Sequence, residues 1–199
     1  ADAVFLRRVY LDVIGVPPVV ETGWETVFQE AKAAGIPIIL VDRRAAVGDD
    51  LFATFIGSDF VLEGANSAKE MAKLMNNKGN IVQLEGPVGA GPALARKKGF
   101  EEELKNFPDM KILESQSGDF TRAKGKEVME AFLKKYGKDI NAVYAHNDDM
   151  ALGAIQAIEE YGLVPGKDVI VVAIDGVKGA FEAMAAGKLN CTVECNPLL

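Results

Sequence analysis

The chain has 199 residues, 49% of them hydrophobic and 26% charged, with a formal net charge of −7. This is ordinary for a globular protein, ample for a core, and compatible with one large domain or two small ones. No window of 18 or more residues is free of charge, which excludes a membrane-spanning helix, and acidic residues flank the basic stretches Arg96-Lys97-Lys98 and Lys134-Lys135, which argues against a nucleic-acid partner.

Residues 1–16 lack the basic start, apolar centre and small-residue cleavage site of a signal peptide, which leaves export open. From Pro17 the pattern is regular. A helix is predicted over Gly23–Ala34, then short apolar runs over Ile36–Val41 and Phe52–Gly57, then a helix over Val61–Asn76 with Leu62, Ala65, Ala68, Ala72 and Met75 at helical spacing. Strands are predicted at Asn80–Leu84, Lys111–Ser115, Ala142–Ala145, Val169–Ile174 and Asn190–Val193. The helices between them are Pro92–Asn106, Thr121–Tyr136, Asp148–Tyr161 and Lys178–Ala186. Gly35, Gly79, Gly137 and Gly162 follow helices, where a left-handed cap is useful.

Short, nearly uncharged strands alternating with helices predict an α/β fold of parallel sheets with helices on both faces. In such sheets ligands bind beyond the carboxyl ends of the strands. Polar residues stand there: Asp42-Arg43, Ser58-Asp59, Glu85, Gln116, Asn147-Asp148 and Asp175. Any one of them has a plain alternative as a helix cap, Asp148 above all.

Other signals are weak. Gly86-Pro87-Val88-Gly89-Ala90-Gly91 lacks dinucleotide-loop spacing, and Pro87 removes an N–H that a phosphate would use. His146, the one histidine, has no second His or suitably placed Cys for a metal. Cys191 and Cys195, on one face of a strand, would lie roughly 13 Å apart, beyond the roughly 7 Å a disulfide spans. Free thiols are expected, with the redox compartment undecided. No catalytic elbow or cysteine–histidine pair is evident. No cofactor is expected.

Several motifs stand in order: Pro18-Val19-Val20-Glu21-Thr22-Gly23-Trp24, Asp42-Arg43, Arg96-Lys97-Lys98-Gly99-Phe100, Gln116-Ser117-Gly118-Asp119-Phe120-Thr121-Arg122, His146-Asn147-Asp148-Asp149-Met150 with Ala151-Leu152-Gly153-Ala154, and Ile174-Asp175-Gly176. Over about Pro17 to Leu199 this series resembles the type I periplasmic sugar-binding proteins, the ribose- and galactose-type receptors of ABC transporters, and most of all their galactofuranose/galactose branch. The resemblance implies a periplasmic, non-catalytic receptor. It would bind a monosaccharide in a cleft between two α/β lobes and hand it to an ABC permease, its sole contact with a membrane. It implies ligand contacts from Asp42 and Arg43 in the first lobe, and from Arg96, Phe120, Arg122, Asn147 and Asp175 in the second. The residue types suit a sugar, whose hydroxyls both donate and accept: carboxylates and amides bind them in pairs, Arg donates through a planar fork, and an aromatic covers a ring face. Trp24 is the other flat surface, with helix packing as its plain alternative, as surface ion pairing is for the arginines (Arg96 with Glu102).

The chain departs from that family in its first lobe. Residues 17–58 are expected to form a partial first lobe, 59–194 a complete second lobe, and 195–199 the start of a return to the first. Residues 1–16 are expected to form an atypical leader or junction. The stretch Phe5–Pro18 is similar to a motif of planctomycete domains of unknown function, and the alternative is a divergent strand over Val9–Val16. Two other readings stay open: an incomplete or chimeric flavodoxin-like fragment with little ligand binding, and the effector-binding core of a LacI-type regulator, although no helix-turn-helix is present.

Overall fold

A computed structural model describes residues 11–196. They divide into two compact units, one reaching Ser58 and taking in Gly89–Pro92 and Asn196, the other comprising Asp59–Val88 and Ala93–Cys195. Residues 1–10, and with them much of the Phe5–Pro18 motif, lie outside the described residues, as do residues 197–199.

In the first unit, strands β1 (Ile14–Val16), β2 (Ile38–Val41) and β3 (Thr54–Ile56) form a parallel sheet in the order β1-β2-β3. The end of the stretch expected to be a leader or junction is therefore a strand, with Ile14 opposite Ile38 and Val16 opposite Leu40. β2 is shorter than its apolar run because Pro37 has no N–H for a ladder; the Pro37 carbonyl instead accepts from the Ile14 N–H at 3.0 Å. Helix α1 (Glu25–Ala33) lays Phe28 and Ala31 onto Ile38 and Leu40, with Ala45 and Leu51 completing the core. Gly35, at φ +72°, ends this helix.

The second unit holds five parallel strands in the order β5-β4-β6-β7-β8: β4 Gly79–Glu85, β5 Met110–Ser117, β6 Ala142–Ala145, β7 Ile170–Asp175 and β8 Cys191–Glu194. Helices α2 (Phe60–Leu74) and α3 (Gly91–Leu104) cover one face; α4 (Arg122–Tyr136), α5 (Asp148–Glu160) and α6 (Lys178–Ala185) cover the other. The period-2 geometry of strands sorts their residues. Val82, Leu84, Val143, Val171 and Ala173 face α4, α5 and α6, while Ile81, Tyr144, Val172 and Ile174 face α2 and α3. β5 and β8 are edge strands and stay half-exposed, so the expectation of strands covered on both faces holds only for the three inner ones.

Two expectations need correction. Leu62 is 53% exposed, and the buried stripe of α2 runs through Phe60, Glu63, Gly64, Ser67, Ala68, Met71 and Ala72. A hydrophobic count cannot see a stripe that contains a glutamate and a serine. Gly79 is not a helix cap: Asn76 (φ 52°) and Asn77 (φ 60°) make the left-handed turn after α2, and Gly79 opens β4.

One close approach positions the site. α2 and α3 cross with Gly64 against the Arg96 carbonyl and Gly99 against the Val61 carbonyl; a Cβ on either glycine would collide with that backbone oxygen. Backbones meeting at glycines bring α3 close enough for Arg96 to reach from its helix to the ends of β6 and β7. Among the described residues, no helix is long and apolar enough to cross a membrane.

Candidate functional site

Polar side chains gather at the carboxyl ends of the strands, and in the second unit Arg96 links several of them. Its side chain is buried, 4% exposed. Nε donates to Glu63 Oε2 at 2.8 Å, Nη1 to the His146 carbonyl at 2.7 Å and Nη2 to Asp175 Oδ1 at 3.3 Å. The guanidinium also lies over the Phe60 ring, 5.2 Å from its centroid. Burial works against its charge, but Glu63 and Asp175 outweigh burial and shift its pKa upward. The plain alternative of a surface pair with Glu102 is overturned: the partners are Glu63 and Asp175, on α2 and at the end of β7.

Asp175 ends β7 with φ +133°, followed by Gly176 at φ +82°. Burial, with Asp148 and Glu63 adding to it against Arg96, raises its carboxyl to about 6. Such strained backbone at a strand end re-aims a side chain and persists only where its surroundings over-determine it. The support is Asp148, fully buried: its carboxylate accepts from the N–H of Gly176 (2.8 Å) and Val177 (2.9 Å) and from Thr192 Oγ1 (2.7 Å). Burial raises the Asp148 carboxyl despite these three donors. Asp148 is thus not the helix cap the sequence suggested. Asn147 caps α5, its side-chain oxygen accepting from the Met150 N–H at 3.0 Å.

Asn147 Nδ2 donates to the Phe120 carbonyl at 3.1 Å. Phe120 has φ +57°, and its ring closes over Gly86, where any Cβ would collide with it. Arg122 is held in an ion pair with Asp149 at 2.7 Å in which both side chains are about half exposed. Glu85 accepts from Lys97 at 2.7 Å, Asp59 caps α2 through the Leu62 N–H, and Gln116 is exposed on β5. Arg96, Asn147, Asp175 and Phe120 are therefore linked to one another at one sheet edge, directly or through the His146 carbonyl; Arg122 is not linked to them.

In the first unit, Asp42 follows β2 at φ +66°, its N–H donating to the Ile56 carbonyl at 2.8 Å. Arg43 Nε donates to Asp42 Oδ2 at 2.9 Å, so the pair already forms one polar unit at the carboxyl end of β2. Trp24 packs edge-on against Phe28 and donates to the Val20 carbonyl at 2.8 Å, which is its packing role. An open groove of about 460 Å³ lies at the amino ends of β2 and β3, with its Lys32 and Asp50 paired to each other. It is at the wrong end of the sheet for a ligand and carries no convergent polar groups.

His146 is fully buried, its Nε2 2.9 Å from Gln83 Nε2. Burial, then Arg96 and Lys97, lower it to about 3, so the ring is neutral. Among the described residues no group of three His, Cys, Asp or Glu side chains is arranged to hold a metal. Both cysteines are free thiols. The sequence reading missed Glu63 and Thr192. The available signal for Glu63 was its place four residues before Ser67, on the same helical stripe as Ala68 and Met71.

Residues 7–198 match the family described as periplasmic binding protein domain. The chain belongs to that family. It is 53% identical over 191 residues to the galactofuranose-binding protein YtfQ of Escherichia coli (strain K12), covering 94% of this chain and 60% of that protein. It is 36% identical to the ribose import binding protein RbsB of Bacillus subtilis (strain 168), over 95% of this chain and 59% of the relative. The chain thus spans about 60% of the length of these relatives. Among solved structures it matches a galactofuranose binding protein with a TM-score of 0.94 at 52% identity, over 98% of this chain and 67% of that one. It also matches the periplasmic binding component of the arabinose ABC transporter from Shewanella sp. ANA-3, bound to α- and β-L-arabinofuranose. There the TM-score is 0.94 at 50% identity, over 98% of this chain and 65% of that one. The α/β architecture implied by the sequence motifs and the architecture of these neighbours agree.

Proposed function

We propose that this periplasmic binding protein is a non-catalytic receptor for a monosaccharide, working in the periplasm and handing its ligand to an ABC permease. The observation that carries this reading is the Arg96–Asp175 pair beside Asn147 at the carboxyl edge of the five-stranded sheet. A buried fork of donors next to a carboxylate and an amide matches paired sugar hydroxyls. The relatives named for galactofuranose, ribose and arabinose support the same class. The contacts proposed in the three-stranded unit are Asp42 and Arg43; those proposed in the five-stranded unit are Arg96, Asn147 and Asp175, with Phe120 as the apolar surface. Arg122 takes a secondary place, because Asp149 already occupies it.

A thermal-shift panel of D-galactose, L-arabinose, D-ribose, D-fucose and D-xylose, followed by titration calorimetry, tests the reading. At least one sugar is expected to raise Tm and to lose affinity in Asp175→Ala. A flat panel, or binding indifferent to Asp175, sinks it.

A further inference from the structure

We propose that Glu63 is a positioning residue for this site: it fixes the rotation of the Arg96 guanidinium and, through Arg96, the orientation of Asp175. The proposal rests on the receptor reading above for its consequence in binding. Glu63 sits in the buried stripe of α2 and is 4% exposed. A carboxylate there is costly unless paired, and its hydrogen-bonding partner is Arg96 Nε at 2.8 Å. A guanidinium presents five N–H groups in a rigid fork. Anchoring the Nε edge sets the plane of that fork, which then places Nη1 on the His146 carbonyl and Nη2 on Asp175. Three of the five N–H groups are thereby engaged.

Glu63 also acts through charge. The titratable groups around Asp175 are Arg96 on α3, Glu63 on α2, Asp148 at the start of α5, Glu194 opposite it on β8, and Cys195 just beyond β8. Glu63 opposes the pull of Arg96 on Asp175. It also adds to burial in holding the Cys195 thiol up at about 12, so that the thiol brings no charge. With two carboxylates already matched to one arginine, the site suits a neutral polyhydroxyl ligand and disfavours an anionic one. A sugar acid would add a third negative charge next to Glu63 and Asp175.

The test uses Glu63→Gln and, as a second variant that keeps the charge, Glu63→Asp. Carboxyl 13C NMR follows the Asp175 titration in the ligand-free chain. Calorimetry measures the neutral sugar giving the largest thermal shift, with D-galacturonate as the anionic probe. Glu63→Gln is expected to lower the Asp175 midpoint, to weaken the neutral sugar about tenfold or more at pH 7.5, and to narrow its preference over galacturonate. Glu63→Asp is expected to restore the midpoint in part. Sugar affinity unchanged from wild type in folded Glu63→Gln overturns the proposal, whatever the Asp175 midpoint. If no neutral sugar binds the wild type, the receptor reading fails, and the NMR titration alone decides whether Glu63 governs Asp175.

Discussion

The Thr192 hydroxyl donates to the buried Asp148 carboxylate at 2.7 Å, tying the start of α5 to the edge strand β8. The other oxygen of Asp148 holds the Gly176 and Val177 N–H groups, so one side chain fixes the turn that follows Asp175. Asp148→Ala would leave the Val177 N–H and the Thr192 hydroxyl without their acceptor, and the Gly176 N–H with only its 3.1 Å bond to Thr192 Oγ1. It is expected to destabilise the chain by about 2–4 kcal/mol, more than the roughly 1 kcal/mol of a lost helix cap. Thr192→Val should remove two bonds, its donation to Asp148 and its acceptance from the Gly176 N–H, which keeps Asp148 as acceptor, and weaken stability by about 1–2 kcal/mol. Urea denaturation of both variants checks the order; equal effects would show that the turn does not depend on Asp148.

Asn147 has two duties in the ligand-free fold, capping α5 and reaching the Phe120 carbonyl. Asn147→Ala is expected to cost about 1–2 kcal/mol of stability. It should also weaken sugar binding, whereas Asn147→Ser should recover most of the cap and little of the affinity. Melting and calorimetry on the two variants separate the duties. Parallel recovery of both quantities would reduce Asn147 to a cap.

Two buried groups pull stability in opposite directions with pH. His146 takes up a proton near 6.5 when unfolded and near 3 when folded, so acid favours the unfolded chain across that window. The expected loss is about 4–5 kcal/mol in total. Asp175 is the reverse: it protonates near 6 when folded and at 3.8 in its ordinary state, so the fold gains as pH falls from 6 to about 4, by about 2–3 kcal/mol. Each involves one proton, so the two nearly cancel between pH 6 and 4, and the uncancelled His146 loss falls between pH 6.5 and 6 and again below 4. Asp175→Asn, a neutral mimic, should be more stable than wild type at pH 8 by about 1–3 kcal/mol. That gain should vanish near pH 4. Denaturation from pH 3.5 to 8 checks both slopes; a gain independent of pH would disprove the linkage.

Gly64 stands where α2 meets the Arg96 carbonyl. Gly64→Ala adds a favourable helix residue, worth about 1 kcal/mol in an open helix. Here the collision with backbone reverses the sign, and a net loss of about 2 kcal/mol or more is expected. Because the helices must part, Arg96 should also withdraw from Asp175, lowering sugar affinity. Stability unchanged or improved would show that the helices separate at no cost.

Most of the architecture was legible in the order of the residues. Ala142–Ala145 is a strand with the bounds its apolar run implied, and Asp148, Lys178 and Tyr136 bound their helices as expected. This follows because inner parallel strands must be apolar on both faces, and because Gly137 and Gly162 supply the positive φ that ends α4 and follows α5. The strand-end positions of Asp42, Asn147 and Asp175 followed from the same alternation of strand and helix.

What each of those side chains does was decided by tertiary structure. Nothing in the local sequence distinguishes Asp148, buried under three donors, from Asp149, paired with Arg122 at the surface. Their difference comes from β8 and the Gly176 turn, which are 28 or more residues away along the chain. Arg96 has acidic neighbours at Glu101 and Glu102, yet its partners are Glu63, 33 residues before it, and Asp175, 79 residues after it. A charged pair forms where backbones can approach, and that distance was set by glycines at a helix crossing. Hydrophobic periodicity reports which face of an element is buried; it does not report which polar group the opposing element places there.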